Sequence, residues 1–240
     1  MKNQYFGDIN DYRKYGLLRA LSNQGQIKTM VCWMLTPDDG RSDGQKTAYL
    51  QQTDRWRAYD PDLFDALQRC LASPGNRDVR RAETQGSLPG ILPSTLLFST
   101  MLTDDAQERQ KYFQELFRTA QGCDLLFFDP DNGLEVKSKP YGRKDSCKYL
   151  YWRELAEAYA AGHSVLVYQH FPRVQRDAYV ADRSARIYAE TGASAVISFR
   201  TAHVVFLLVP QAGDVGFLRA RSEAVASRWA SQVEVDGLSV

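Results

Sequence analysis

The stretch from residue 193 to residue 210, "ASAVISFRTAHVVFLLVP", holds two strand-like apolar runs, 195–199 and 204–209, separated by about four residues. A crossover helix needs a dozen residues or more, so the two strands must be antiparallel neighbours. Outward from this hairpin, the pattern alternates. Strand-like runs at 28–35, 94–100, 123–129 and 164–170 are separated by helical patterns at 10–22, 45–72, 104–120, about 148–161 and 173–190, and a last helix covers roughly 215–230. Alternation of this kind predicts a mostly parallel, doubly wound α/β sheet, here closed by the antiparallel hairpin. The runs "CDLLFFD" and "SVLVYQH" lack period-two alternation, as expected of strands buried on both faces.

The 240 residues, 44% hydrophobic and 25% charged, suit one domain over 1–240 with its own core. Residues 73–93 carry three Pro, three Gly and three Arg, and read as a surface loop or insertion. A net charge of +1 creates no global field toward nucleic acid, so any such contact must come from local patches. No apolar run is long enough to span a bilayer, and residues 1–10 have no apolar leader pattern. Four scattered cysteines without a CxxC pair, and only three histidines, argue against structural zinc and predict a reducing, cytoplasmic setting without a membrane partner.

In open α/β sheets, ligands bind beyond the carboxyl ends of the strands. Three loops leave such ends carrying polar groups. "DPDNG" places Asp129, Asp131 and Asn132 on a turn stiffened by Pro130, with Gly133 able to supply a positive φ. It reads either as a site that accepts and donates hydrogen bonds to a base amino group or as a structural Asx turn. "EVKSKPYGRKDSCK" interleaves Lys137, Lys139, Arg143 and Lys144 with Tyr141, a pattern that holds phosphates and stacks a base, or a solvated loop. "YQHFPR" sets His170 at a third strand end, near Asp129 if the two strands are adjacent, whereas His163 and His203 read as structural. "TPDDGRSDG" after the first strand offers Thr36, Gly40 and Asp43, together with Asp38 and Asp39, as a cofactor loop or a plain turn. At the start of the first helix, Asn10 or Asp11 reads as the cap.

"FGDINDYRKYGLLRAL" (residues 6–21) resembles the opening of the J-type large-ribosomal-RNA adenine-N6 methyltransferases, with Gly7, Asp11 and Lys14 matching and Tyr15 in place of a histidine. "LLFFDPDNG" is similar to that family's strand into Asp-Pro-Pro-Tyr, with Asp129 and Pro130 matching. Asp131 and Asn132 replace the second proline and the aromatic residue. The segments around 161–173 and 201–211 resemble two further strands. The resemblance implies a Rossmann-like, class I methyltransferase-like fold, of which the terminal hairpin is a signature, with S-adenosylmethionine as cofactor and a nucleobase amino group or nucleic acid as substrate. Asp129 would orient that amino group, and Asp11 and Lys14 would lie near the cofactor. The family's glycine-rich loop is replaced by "TPDDGRSDG", and no acidic residue stands at the tip of "STLLFST" to hold a ribose.

Two other readings compete. Asp129, Asp131 and Glu135, with Asp38 or Asp43, have the oxygen ligands that Mg²⁺ or Mn²⁺ prefers, as in a metal-dependent nuclease or phosphodiesterase. A catalytically inactive nucleic-acid- or protein-binding module on the same fold is the third.

Overall fold

A computed structural model describes residues 1–40, 44–72, 77–82 and 90–238. In chain order they form α1 (Ile9–Ser22), β1 (Thr29–Cys32), α2 (Thr53–Trp56), α3 (Pro61–Leu71), β2 (Thr95–Phe98), α4 (Ala106–Thr119), β3 (Leu125–Phe128) and β4 (Gly133–Leu134). These are followed by β5 (Tyr149–Leu150), α5 (Trp152–Ala160), β6 (Ser164–His170), α6 (Arg176–Thr191), β7 (Ile197–Arg200), β8 (Val204–Val209), α7 (Val215–Arg228) and β9 (Glu234–Asp236).

The main sheet has the order β2-β1-β3-β6-β8-β7-β9. The first four strands are parallel, and β8 is antiparallel to both β6 and β7. The fold is therefore the Rossmann-like α/β sheet with an antiparallel closure. The second strand of the hairpin, not the first, lies against β6. Strand β9 adds an edge that the sequence pattern did not reveal. It is three residues of mixed polarity, anchored where Arg200 pairs with Glu234 at 2.9 Å and Asp236 at 2.7 Å.

Alternate residues of the central strands enter two separate cores. Val31, Leu125, Phe127 and Leu166 pack with Tyr12, Leu18, Phe64, Leu218 and Val225, from α1, α3 and α7. Met30, Cys32, Leu126, Phe128 and Val167 pack with Tyr112, Leu116, Leu155 and Ile187, from α4, α5 and α6. Both faces are apolar, which is why these strands read as continuous hydrophobic runs.

Several local expectations are corrected. Asp8, not Asn10 or Asp11, caps α1, accepting from the N–H groups of Asn10 at 2.7 Å and Asp11 at 3.0 Å. The Asp11 carboxylate is turned inward instead. Helix α5 begins at Trp152 rather than near residue 148, because residues 149–150 first pair with β4. The Trp152 N–H then donates to Glu135 Oε2 at 2.9 Å. In the expected surface loop at 73–93, the described residues 77–82 and 90–93 are partly packed, with Val79, Ala82, Ile91 and Leu92 buried. The four cysteines are free. Among the described residues, no helix is long and apolar enough to cross a membrane.

Register sets the position of the site. Cys32 is level with Phe98 and with Phe128, and Phe128 with Val167. The chain therefore leaves β1, β2, β3 and β6 at one common edge, and Asp129 emerges beside Tyr168.

Candidate active-site cleft

At that edge lies a cleft of about 660 Å³ between the start of α1, residues 44–46 and the ends of β3 and β6. Asp11, Lys14, Asp129, Asp131, Asn132 and His170 all line it. Residues that the sequence scatters over 160 positions are thus brought to one place by the parallel register.

Lys14 stands at the centre. Its Nζ lies 2.6 Å from Asp129 Oδ2 and 2.7 Å from Asp11 Oδ1, with all three side chains buried. Asp11 Oδ2 accepts from Tyr15 Oη at 2.9 Å and the Gly7 N–H at 3.0 Å. Helical spacing puts Asp11, Lys14 and Tyr15 on one face of α1, which faces the end of β3. Burial pulls the Lys14 pKa down, but the charges of Asp11 and Asp129 outweigh it and hold the ammonium well above its ordinary range. Burial pushes Asp129 upward, and Lys14 offsets this only in part. Asp8 joins the same cluster. Burial and then the Asp11 charge raise its pKa to about 6.

Asp131 is fixed from the other side. The Met1 ammonium lies 2.7 Å from Oδ1, and Thr36 Oγ1 donates to Oδ2 at 2.6 Å. Burial pushes Asp131 up, but the ammonium and the Thr36 hydroxyl outweigh it and hold it below the usual carboxylate range. Asn132 is exposed, and its side-chain amide makes no hydrogen bond among the described residues. Gly133 supplies the expected positive φ, at 101°. Behind it, Gln169 accepts from the Leu134 N–H at 2.8 Å and donates to the His170 carbonyl at 2.7 Å. The "DPDNG" turn is therefore held rigid from both sides.

Of the expected cofactor loop after β1, Gly44 lines the cleft, and residues 36–39 are engaged by the start of the chain and by Asp131. Thr36 is bound to Asp131, and its N–H donates to the Met1 carbonyl at 2.9 Å. Lys2 pairs with Asp39 at 2.7 Å. Asp38 accepts from the Gln4 N–H at 3.1 Å. Residues 1–4 thus lie over this loop. Gly40 does not line the cleft, and Asp43 lies outside the described residues.

The basic segment also departs from expectation. Lys137, Lys139, Tyr141, Arg143 and Lys144 are not in the cleft lining. Lys139 and Lys148 both pair with Asp145, at 2.7 and 2.9 Å. Tyr141 lies under the Arg153 guanidinium, 3.6 Å from ring centroid to Cζ. Buried Arg109 fixes this segment, bridging Glu154 at 2.7 Å and the carbonyls of Ser146 at 3.1 Å and Tyr149 at 2.6 Å. That packing carries the segment toward α4 and α5, away from the cleft.

Among the described residues, no group of three or more His, Cys, Asp or Glu side chains is placed to hold a metal ion. Of the set Asp129, Asp131 and Glu135, the first is paired with Lys14 and the last serves the start of α5. Asp104, near the tip of β2, accepts from the N–H groups of Asp145 and Cys147, both at 2.8 Å, and is not free for a ribose.

His163 is structural, with Nδ1 2.7 Å from the Cys123 carbonyl. His170 is at the cleft, as its strand neighbour Asp129 required. Asp8, which lines the cleft, and Gln169, which holds the turn from behind, are not among the expected site residues. The signal for Asp8 was its place just before the helical pattern, and for Gln169 a polar side chain inside an apolar strand. No family model matches the chain, and no curated protein matches it either.

Proposed function

We propose that the chain is a methyltransferase-like protein that uses S-adenosylmethionine and acts on an amino group of a nucleobase, free or within nucleic acid. The observation that carries this reading is the convergence of Asp11, Lys14 and Asp129. The resemblance assigned these three residues to one cofactor-and-acceptor site, and both carboxylates lie within 2.7 Å of Lys14 Nζ.

The cleft fits such a pair of ligands in size and charge. Its volume of about 660 Å³ lies in the range of small-molecule sites. The carboxylates of Asp8 and Asp11 suit a ligand with positive charge, and would hold the ammonium-bearing end of S-adenosylmethionine. When bound, that cofactor supplies an electrophilic methyl group on its sulfonium. The chain's own residues position the acceptor. Asp129, with Oδ2 held by Lys14, offers Oδ1 to accept a hydrogen bond from the target amino group and so aims its lone pair. The free amide of Asn132 pairs with the edge of the same base. Fixing these groups before binding is how such a site lowers the barrier.

Calorimetry on the purified protein tests this, with S-adenosylmethionine titrated in the presence and absence of Mg²⁺. Micromolar binding without metal, abolished in Lys14→Ala, is the expected result. Uptake of Mg²⁺ or Mn²⁺ with no cofactor binding would overturn the reading in favour of a metal-dependent phosphodiesterase, and silence in all titrations would leave a binding module.

A further inference from the structure

His170 has a second side. Beyond it lies a separate hollow of about 450 Å³, formed where β6 ends, where buried Phe171 and the exposed residues 172–175 lead into α6, and where the β7–β8 turn folds over. Its lining includes His170, Phe171, Arg173, Val174, Arg176 and His203. The Phe171 N–H donates to the His203 carbonyl at 3.0 Å, which ties the turn to the segment. His203, which reads as structural in the sequence, is thereby set beside His170.

The charge here is unbalanced. Arg173 makes no ion pair or hydrogen bond among the described residues, and the guanidinium of Arg176 rests over the Phe171 ring, 5.4 Å from its centroid. The one carboxylate in the first turn of α6, Asp177, is bound by Arg200 and by Gln175 and does not neutralise either arginine. Burial, and then the proximity of His203, lower the pKa of His170. Several other cations are paired: Lys139 and Lys148 share Asp145, Arg57 pairs with Asp65, and Arg109 with Glu154. Two guanidiniums and two imidazoles thus surround one hollow whose lining holds no carboxylate. Val174, 53% exposed, gives the same rim an apolar contact.

We infer that this hollow binds a phosphate group of the substrate, with Arg173 and Arg176 as its ligands and His170 and His203 as additional donors. Guanidinium forks match phosphate oxygens in pairs, which a point charge does not. Because His170 lines both the hollow and the cleft, a nucleotide unit held here by its phosphate extends its base toward Asp129 and Asn132. That last step rests on the cleft being a nucleobase site. The phosphate contact itself does not.

The test is fluorescence anisotropy with a labelled single-stranded oligonucleotide, over a series of salt concentrations, with an unlabelled mononucleotide as competitor. The expected result is binding that weakens at least tenfold in Arg173→Ala/Arg176→Ala. Losing two phosphate contacts at about 0.7 each flattens the slope of log K against log salt by about 1.4. Arg143→Ala/Lys144→Ala leaves binding unchanged. Competition by the mononucleotide identifies a free nucleotide as the phosphate source, and its failure identifies a strand. Thermal melts check that the four exposed side chains are dispensable for folding. Binding that survives the Arg173/Arg176 change, binding lost with Arg143/Lys144, or no binding of either probe overturns the inference. Cofactor binding without oligonucleotide binding sinks this inference alone. Oligonucleotide binding through Arg173 and Arg176 without cofactor binding sinks only the methyl-transfer reading.

Discussion

Replacing Lys14 with methionine removes the charge on which the cleft is built while keeping the length of the side chain. In the wild-type protein, the ammonium lies 2.6 Å from Asp129 and 2.7 Å from Asp11, with both carboxylates at 4% exposure or less. Methionine fills most of the space of the lysine stem, so the cavity contribution is small. What remains is two buried carboxylates facing one another without a cation. Breaking a buried pair in this way costs about 3–5 kcal/mol, against a typical total stability of about 5–15 kcal/mol. The variant is therefore expected to fold, with most of its margin gone.

The same change has a pH signature with a definite sign. Without Lys14, the folded-state pKa of the carboxyl pair rises, and about 3–5 kcal/mol corresponds to about 2–4 pKa units. The folded variant then binds a proton that the unfolded chain has already released, so its stability falls as pH rises from about 4 toward neutrality. Urea unfolding at pH 5 and pH 8, each against wild type, reads this directly. The deficit should be full at pH 8 and reduced by about half or more at pH 5, and Asp129→Asn added to Lys14→Met should restore part of it at pH 8. A deficit below about 1 kcal/mol at pH 8, or an equal deficit at both pH values, would refute the electrostatic account of the cleft.

Two further outcomes probe its neighbours. Asp8 has a folded pKa of about 6, raised from 3.8 by burial and by Asp11, so its effect on stability is unfavourable once it ionises. Wild type should lose about 2–3 kcal/mol as pH rises from about 4 to 6. Asp8→Asn keeps the cap and should remove that slope, and guanidinium midpoints showing no gain at pH 7.5 would contradict it. Gly133→Ala forces a side chain onto φ 101° and brings its Cβ to 2.5 Å from the Gln169 carboxamide. It should cost about 1–3 kcal/mol, which calorimetry would record as a drop in Tm of several degrees, and an unchanged Tm would show that the turn is not held as described.

The sheet was legible because its evidence is local. Each apolar run at 123–129 or 164–170 is short, bounded and filled on both faces, and four residues between two strands leave one geometry. Strand β9 was not, because Glu-Val-Asp has no pattern of its own and is recruited by pairing with β7, where Arg200 meets both of its carboxylates. The convergence of Asp129, His170 and the start of α1 followed from the same register. What the sequence hid was pairing at long range. "TPDDGRSDG" reads as a cofactor loop or a plain turn, yet Thr36 and Asp39 are bound by Asp131 and Lys2, partners 95 and 37 residues away.

The basic residues show the same limit most sharply. Between 137 and 148 the cations are dense in sequence, and density is what a linear reading registers. Folding sets Asp145 between two of those lysines and carries Tyr141 under Arg153, so part of the run is satisfied by its own neighbours and the whole of it lies away from the cleft. Arg173, Arg176, His170 and His203 span more than thirty positions and form no run, yet the hairpin turn brings them together with no free carboxylate in the lining. Charge available to a ligand is what remains after internal pairing. Beside His170 that remainder includes Arg173, which no carboxylate of the lining neutralises, and the phosphate contact inferred above rests on it.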